Sequence, residues 1–369
     1  MSSEGQIGLF EAICISSFII TTKIFYTSTS FIVKEVGTAS WYTTLLSCAV
    51  SLFFFFLIYL LMKRFEGNNI VEIYELVLGK FLGKLISICF CAYGIFYAGS
   101  TLREFVEMIK AFNLPYTPPS VIMALFIGVV CLIVYFGLNG ISRISVISFF
   151  PVIAGFITIL VLTYPEYDAD YLKPYLGYGI NKTLITGVLR SSAYDEFFIL
   201  TVIINSIHGL KNFKKAGVIS LLIAGISFGI SVACYLMVFG YKIGSENLSG
   251  MFELARVIYY NRFLQRLESI FLFTWVISSV VSVSISFYLP ISIYCKAFRI
   301  NRHKPLIFPF SFLLFLVAIL PDNLTEVLQM NLLVIRQYSM FFIYLVPVAV
   351  LIISLITRKR GAALNAQKN

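Results

Sequence analysis

The chain has 369 residues, 59% of them hydrophobic and only 12% charged, about half the charged share of an ordinary soluble domain. So few charges cannot cover a water-facing exterior, which excludes a soluble globular protein and makes the bilayer the matching solvent. The net charge of +10 sits mostly in short loops between apolar runs, with no solvated basic face, which points away from nucleic acid as a partner.

A spanning helix needs about 20 mostly apolar residues. Ten runs approach that length, at about 8–33, 41–62, 84–108, 120–138, 144–163, 184–207, 216–240, 267–295, 305–320 and 334–357. The chain therefore reads as one polytopic all-α membrane domain, its halves at about 8–163 and 184–357, ending in a short basic tail, 358–369. Met1 to Gly8 lack a basic lead segment, so the first run is expected to be a retained helix. It is interrupted at Thr21, Thr22 and Lys23, followed by Tyr26 to Ser30. Residues 70–80, with Ile70, Ile73, Tyr74, Val77 and Leu78 at helical spacing, predict an amphipathic helix on the inner surface. The third run carries Tyr93, Tyr97, Ser100, Thr101 and Glu104 on one face. Pro115, Pro118, Pro119, Asn139-Gly140 and Pro165 mark turns between later runs.

The sixth run is interrupted by Ser191, Ser192, Ala193, Tyr194, Asp195 and Glu196. Both breaks open a set of five runs. Broken helices in matching positions of two halves point to a transporter-type site, because unwound backbone and half-helix ends bind small polar solutes. Asp195 and Glu196 are adjacent, so on a regular helix they face about 100° apart. Residues 249–262 predict a second amphipathic helix, on the outer side. The eighth run places Trp275, Ser278, Ser279, Ser282 and Ser286 on one stripe, which serves either close helix packing or a pocket wall.

Lys23 lies mid-membrane, and the fifth run carries no charge. A buried ammonium stays charged only beside a carboxylate, so Lys23 is expected to be held by Glu196 or Asp195. Arg190 and Arg336 read as outer-interface residues, and His208 and His303 as solvated helix ends. Basic residues gather in loops 63–84, 209–215 and 296–304 and in the tail, whereas Glu166, Asp168 and Asp170 occupy the opposite side. That bias predicts both termini in the cytoplasm. The seven cysteines sit in apolar runs without zinc spacing, and phosphate loops, zinc-protease motifs and nucleophile elbows are missing. No enzyme, cofactor or metal is expected.

The segments Leu78-Gly79-Lys80-Phe81-Leu82-Gly83-Lys84, Tyr171-Leu172-Lys173-Pro174 with Gly179-Ile180, Glu196, and Leu254-Ala255-Arg256-Val257-Ile258 through Arg266-Leu267-Glu268 to Trp275 resemble one family in order and spacing. It is the B subunit of spore germinant receptors, the endospore germination permeases of the amino acid–polyamine–organocation transporter superfamily. The resemblance runs from Ile7 to about Thr357. It implies a LeuT-type 5+5 inverted-repeat fold with broken first and sixth helices. It also implies assembly with a larger A-type subunit and a C-type lipoprotein in the inner membrane of the endospore, and a nutrient, commonly an amino acid, bound between the first, third, sixth and eighth helices. The residues expected to bind it are Thr21, Thr22, Lys23, Ile24, Tyr93, Tyr97, Tyr194, Asp195, Glu196, Ser278, Ser279 and Ser282. Where the family often has small residues, this chain has Thr21-Thr22-Lys23 and Asp195, which implies a ligand other than a simple neutral amino acid. The other reading of the same pocket is an active secondary amino-acid transporter.

Overall fold

The computed structural model describes residues 5–260 and 267–361, and among them the fold is all helical. In chain order the helices are α1 (Leu9–Thr21), α2 (Ser28–Val36), α3 (Ser40–Arg64), α4 (Ile70–Leu78), α5 (Lys80–Phe112), α6 (Pro119–Tyr135), α7 (Gly137–Leu162), α8 (Ile180–Leu189), α9 (Ile199–Val202), α10 (Gly209–Gly244), α11 (Gly250–Val257), α12 (Glu268–Phe298), α13 (Lys304–Ile319), α14 (Leu324–Gln329), α15 (Ser339–Ile343) and α16 (Leu345–Ile356). Tight 3₁₀ segments, Thr22–Phe25 and Arg190–Phe198, replace α-helix at the two expected breaks, and a π-helical stretch, Met330–Tyr338, interrupts the last run.

Among the described residues, six helical stretches are long and apolar enough to cross a bilayer: Ser28–Arg64, Lys80–Phe112, Gly137–Leu162, Gly209–Gly244, Glu268–Phe298 and Leu324–Ile356. Pro119–Tyr135 and Lys304–Ile319 are apolar but shorter. The first and sixth runs fall short for a physical reason: each is cut by its break into pieces of 13 and 9, or 10 and 4, helical residues. The last run also starts earlier than its hydropathy suggests, at Leu324 instead of about 334. Asn323 caps it by accepting from Glu326 N at 3.0 Å.

The exterior confirms the solvent. Phe81, Leu125, Ile147 and Phe308 are among the most exposed side chains, an arrangement costly in water and natural against lipid tails. Buried polar side chains instead face inward, toward α1, α5, α12 and the two breaks.

The two amphipathic connections form where expected. α4 opens with a reciprocal cap: Asn69 Oδ1 accepts from Glu72 N at 3.1 Å, and Glu72 Oε2 accepts from Asn69 N at 3.0 Å. It then reverses into α5 at Gly79, whose φ of 87° suits glycine. Four residues on, Gly83 lets α5 pass so near α4 that a β-carbon there would lie 2.6 Å from the Glu75 backbone. α11 covers residues 250–257 of the expected 249–262, because the chain turns extended at Ile258 and leaves the helix; 261–266, with Arg262 and Arg266, like Met1 to Glu4 and the tail from 362 with Lys368, lie outside the described residues.

Candidate functional site

The site is built where the two breaks meet. After Thr21 the first helix tightens, and at Tyr26 the backbone becomes extended (φ −93°, ψ −152°) before α2 begins. Polar side chains satisfy the freed groups. The Thr22 hydroxyl donates to Phe18 O at 2.6 Å and lies 2.7 Å from Ser278 Oγ, and Tyr26 OH donates to Ser279 Oγ at 2.9 Å. Two of the expected α12 serines therefore hold the first break in place rather than standing free on a wall. Ser282 is buried one turn further on, its carbonyl accepting from Ser286 Oγ at 2.8 Å.

The second break is fastened mainly to the last helical run. Ser192 Oγ donates to Gln337 O and accepts from Met340 N, both at 3.0 Å. Ser191 O accepts from Tyr344 OH at 2.9 Å and from Ser51 Oγ at 3.0 Å. Between the breaks, Lys23 Nζ forms an ion pair with Glu196 and donates to Ala193 O at 2.5 Å, with both charged side chains buried. Asp195 turns to a different partner and accepts from Ser339 Oγ. The two adjacent acids thus take different partners while lining the same cavity.

These carboxylates face a cavity of about 20 Å³, lined also by Tyr93, Tyr97, Phe90, Phe198 and Ile19. That is space for about one water, so the chain is closed around its centre. Of the twelve expected residues, the structure brings Tyr93, Tyr97, Asp195 and Glu196 to the cavity, with Lys23 beside it. Thr22, Ser278 and Ser279 stand behind them in the clasp on the first break. Ile24 is buried, its carbonyl accepting from Thr29 Oγ1 at 3.4 Å. Two residues point elsewhere. Thr21 bonds back to Ser17 O at 2.7 Å on its own helix, and Tyr194 reaches α3, donating to Thr44 O at 3.0 Å beside Phe228.

Arg336 and Arg190, read from the sequence as interface residues, are instead 3% and 4% exposed. Arg336 forms a 2.6 Å ion pair with Glu104 of α5. Glu104 also accepts from Thr27 Oγ1 at 2.6 Å and Asn331 Nδ2 at 3.0 Å, so one carboxylate ties α5, the first break and the π-helical stretch together. The signal was present in the sequence: an arginine inside an apolar run and a glutamate on a polar stripe. His208 is exposed, whereas His303 is half-buried near Tyr288. Among the described residues, no three His, Cys, Asp or Glu side chains cluster as metal ligands.

Residues 9–327 match the family model described as spore germination protein (Spore_permease). The chain belongs to this family. Spore germination protein KB of Bacillus subtilis (strain 168) is 24% identical over 330 residues, 88% of each chain. Two solved transporters share the fold. One is Mhp1, a nucleobase-cation-symport-1 family transporter in a closed conformation with bromovinylhydantoin bound (TM-score 0.66, 14% identity, 96% of this chain and 91% of that one). The other is a Na⁺-coupled sialic acid symporter in a substrate-bound outward-open state (TM-score 0.67, 11% identity, 96% and 90%). The Spore_permease chain is thus a multi-pass, all-α membrane protein of the LeuT type, and its two breaks occupy a transporter-like core.

Proposed function

We propose that this chain is the nutrient-sensing subunit of a spore germinant receptor, binding a small nutrient, an amino acid, between its two broken helices and thereby triggering germination. The observation that carries this reading is the buried Lys23–Glu196 pair bridging both breaks beside Tyr93, Tyr97 and Asp195, in a chain of a spore germination family. Half-helix ends and unwound backbone are where folds of this class bind solutes. The residues named from the sequence are proposed as that site with two kinds of change: Thr21 and Tyr194 act as supports, and Thr22, Ser278 and Ser279 form the clasp behind the pocket. A germinant receptor of this kind assembles with an A-type subunit and a C-type lipoprotein, surrounded by lipid in the inner membrane of the endospore. Deleting the chain is expected to abolish germination to one class of nutrient, and unchanged germination to all nutrients would overturn the reading.

The second reading, an active secondary amino-acid transporter, is favoured by the fold shared with two transporters. Accumulation of labelled amino acid by the purified chain in liposomes would support it over sensing.

Both termini are proposed to face the cytoplasm, following the basic loops. Lys214, in the first turns of α10, and Asp168, between α7 and α8, are both exposed. In a cysteine-free background, Asp168→Cys is expected to react with an impermeant maleimide from outside intact cells and Lys214→Cys only after lysis. The reverse pattern would contradict the orientation.

A further inference from the structure

Asp195 carries a charge that the rest of the site leaves unmatched. It is 2% exposed, accepts from Ser339 Oγ, and among the described residues enters no ion pair. The charged groups within its electrostatic reach are Glu196 and Lys23. One ammonium therefore stands against two carboxylates, and it is paired with Glu196. Arg336, the other cation near Lys23, is taken by Glu104. The cavity thus has one negative charge in excess.

Two further polar atoms there lack partners. Glu196 Oε2 and the Tyr93 hydroxyl are buried without a hydrogen bond, and both residues line the same cavity as Asp195. A buried carboxylate in excess takes up a proton or a cation. A primary ammonium brings one positive charge and three N–H donors. The cavity offers that charge its complement, with acceptors on Asp195, Glu196 and Tyr93. Its volume of about 20 Å³ suits a group the size of a water molecule, as an ammonium is. Phe90, Tyr97 and Phe198 line the rest, and aromatic faces attract cations. A neutral amino acid brings its own carboxylate along with its ammonium, so it leaves the excess charge in place. A nutrient with one more ammonium than carboxylate removes it.

We propose that Asp195 receives a primary ammonium of the nutrient and makes the pocket selective for nutrients of net positive charge, basic amino acids among them. This rests on the sensing reading and narrows its ligand class. The closed chain has room for the charged head alone, so admitting the rest of the nutrient requires the helices around the cavity to part.

The test compares spores carrying the wild-type chain, Asp195→Asn or Tyr93→Phe in the intact receptor, with protein levels followed by immunoblot. The probes are the twenty amino acids, ornithine, norleucine and norvaline, each with and without added potassium, sodium or ammonium chloride. Norleucine and norvaline are lysine and ornithine without the side-chain ammonium. Wild-type spores are expected to answer lysine or ornithine and to need at least about 30-fold more of the counterpart lacking the ammonium. Asp195→Asn keeps the shape and an acceptor but not the charge. It is expected to need about 30-fold more of the basic nutrient and to lose the discrimination. Tyr93→Phe removes a hydroxyl that bonds nothing in the closed chain, and is expected to reduce the discrimination about 5-fold. If Asp195→Asn lowers the protein level, the ratio between paired nutrients in Tyr93→Phe decides, since a purely structural role leaves that ratio unchanged. A chain-dependent response to neutral nutrients equal to that to basic ones, or undiminished discrimination in both variants, overturns the assignment. A response to a neutral nutrient that needs an added salt cation, and loses that need in Asp195→Asn, assigns the charge to a free ion and overturns the nutrient's ammonium. A response that never depends on the chain overturns the sensing reading, and this assignment with it.

Discussion

Lys23→Met is expected to abolish the nutrient response and to lower the amount of chain in the membrane, whereas Lys23→Met combined with Glu196→Gln recovers part of that amount. Lys23 is 4% exposed and Glu196 6%, so neither charge has water to fall back on. The pair joins the first break to the second, and Lys23 also donates to Ala193 O within the second break. Removing the ammonium leaves Glu196 uncompensated next to Asp195. Breaking a buried pair from one side typically costs about 3–5 kcal/mol, more than replacing both members. The measurement is immunoblotting of spore membranes with germination rate for both single variants and the double. A Lys23→Met chain at normal level with a normal response would sink the idea that this pair holds the site.

Glu104→Gln is expected to be more damaging than Arg336→Met. Glu104 is fully buried and accepts from Arg336, Asn331 and Thr27. An amide turns one of its two acceptor oxygens into a donor, facing donors, and leaves Arg336 buried without a counter-charge. Arg336→Met removes one donor of several, and Glu104 keeps Thr27 and Asn331. Combining Glu104→Gln with Arg336→Met should relieve part of the damage, giving a coupling within the 0.5–3 kcal/mol range typical of contacting pairs. Thermal unfolding of the purified chain in detergent, run as a double-mutant cycle, reads this directly. Additive single effects would mean that the pair does not act as one unit.

Both breaks were readable because polar residues inside an apolar run have few innocent explanations. Lys23 in particular announced a carboxylate partner, and the candidates were adjacent in sequence. What could not be read was direction. Tyr194 stands with the acids in sequence but lies two residues before Glu196, about 240° around a 3₁₀ segment, so its ring leaves the pocket and ends against α3. The α12 serines were ambiguous between packing and pocket because both need small polar side chains. Their distances to Thr22 and Tyr26 show that they pack on the first break. Arg190 and Arg336 were misplaced for a simpler cause. Run ends are drawn where hydropathy falls, and a charge near an end reads as interfacial. The last run begins ten residues earlier, at Leu324, and carries a π-helical stretch that turns Arg336 inward.

The most direct measurement is germination of spores lacking only this chain, challenged with single amino acids and sugars and complemented with wild type or with Lys23→Met. The account predicts loss of response to one class of nutrient, full return with the wild-type gene, no return with Lys23→Met, and normal answers to the remaining nutrients. Spores that germinate equally well to every nutrient without the chain, or that are fully restored by Lys23→Met, would contradict it.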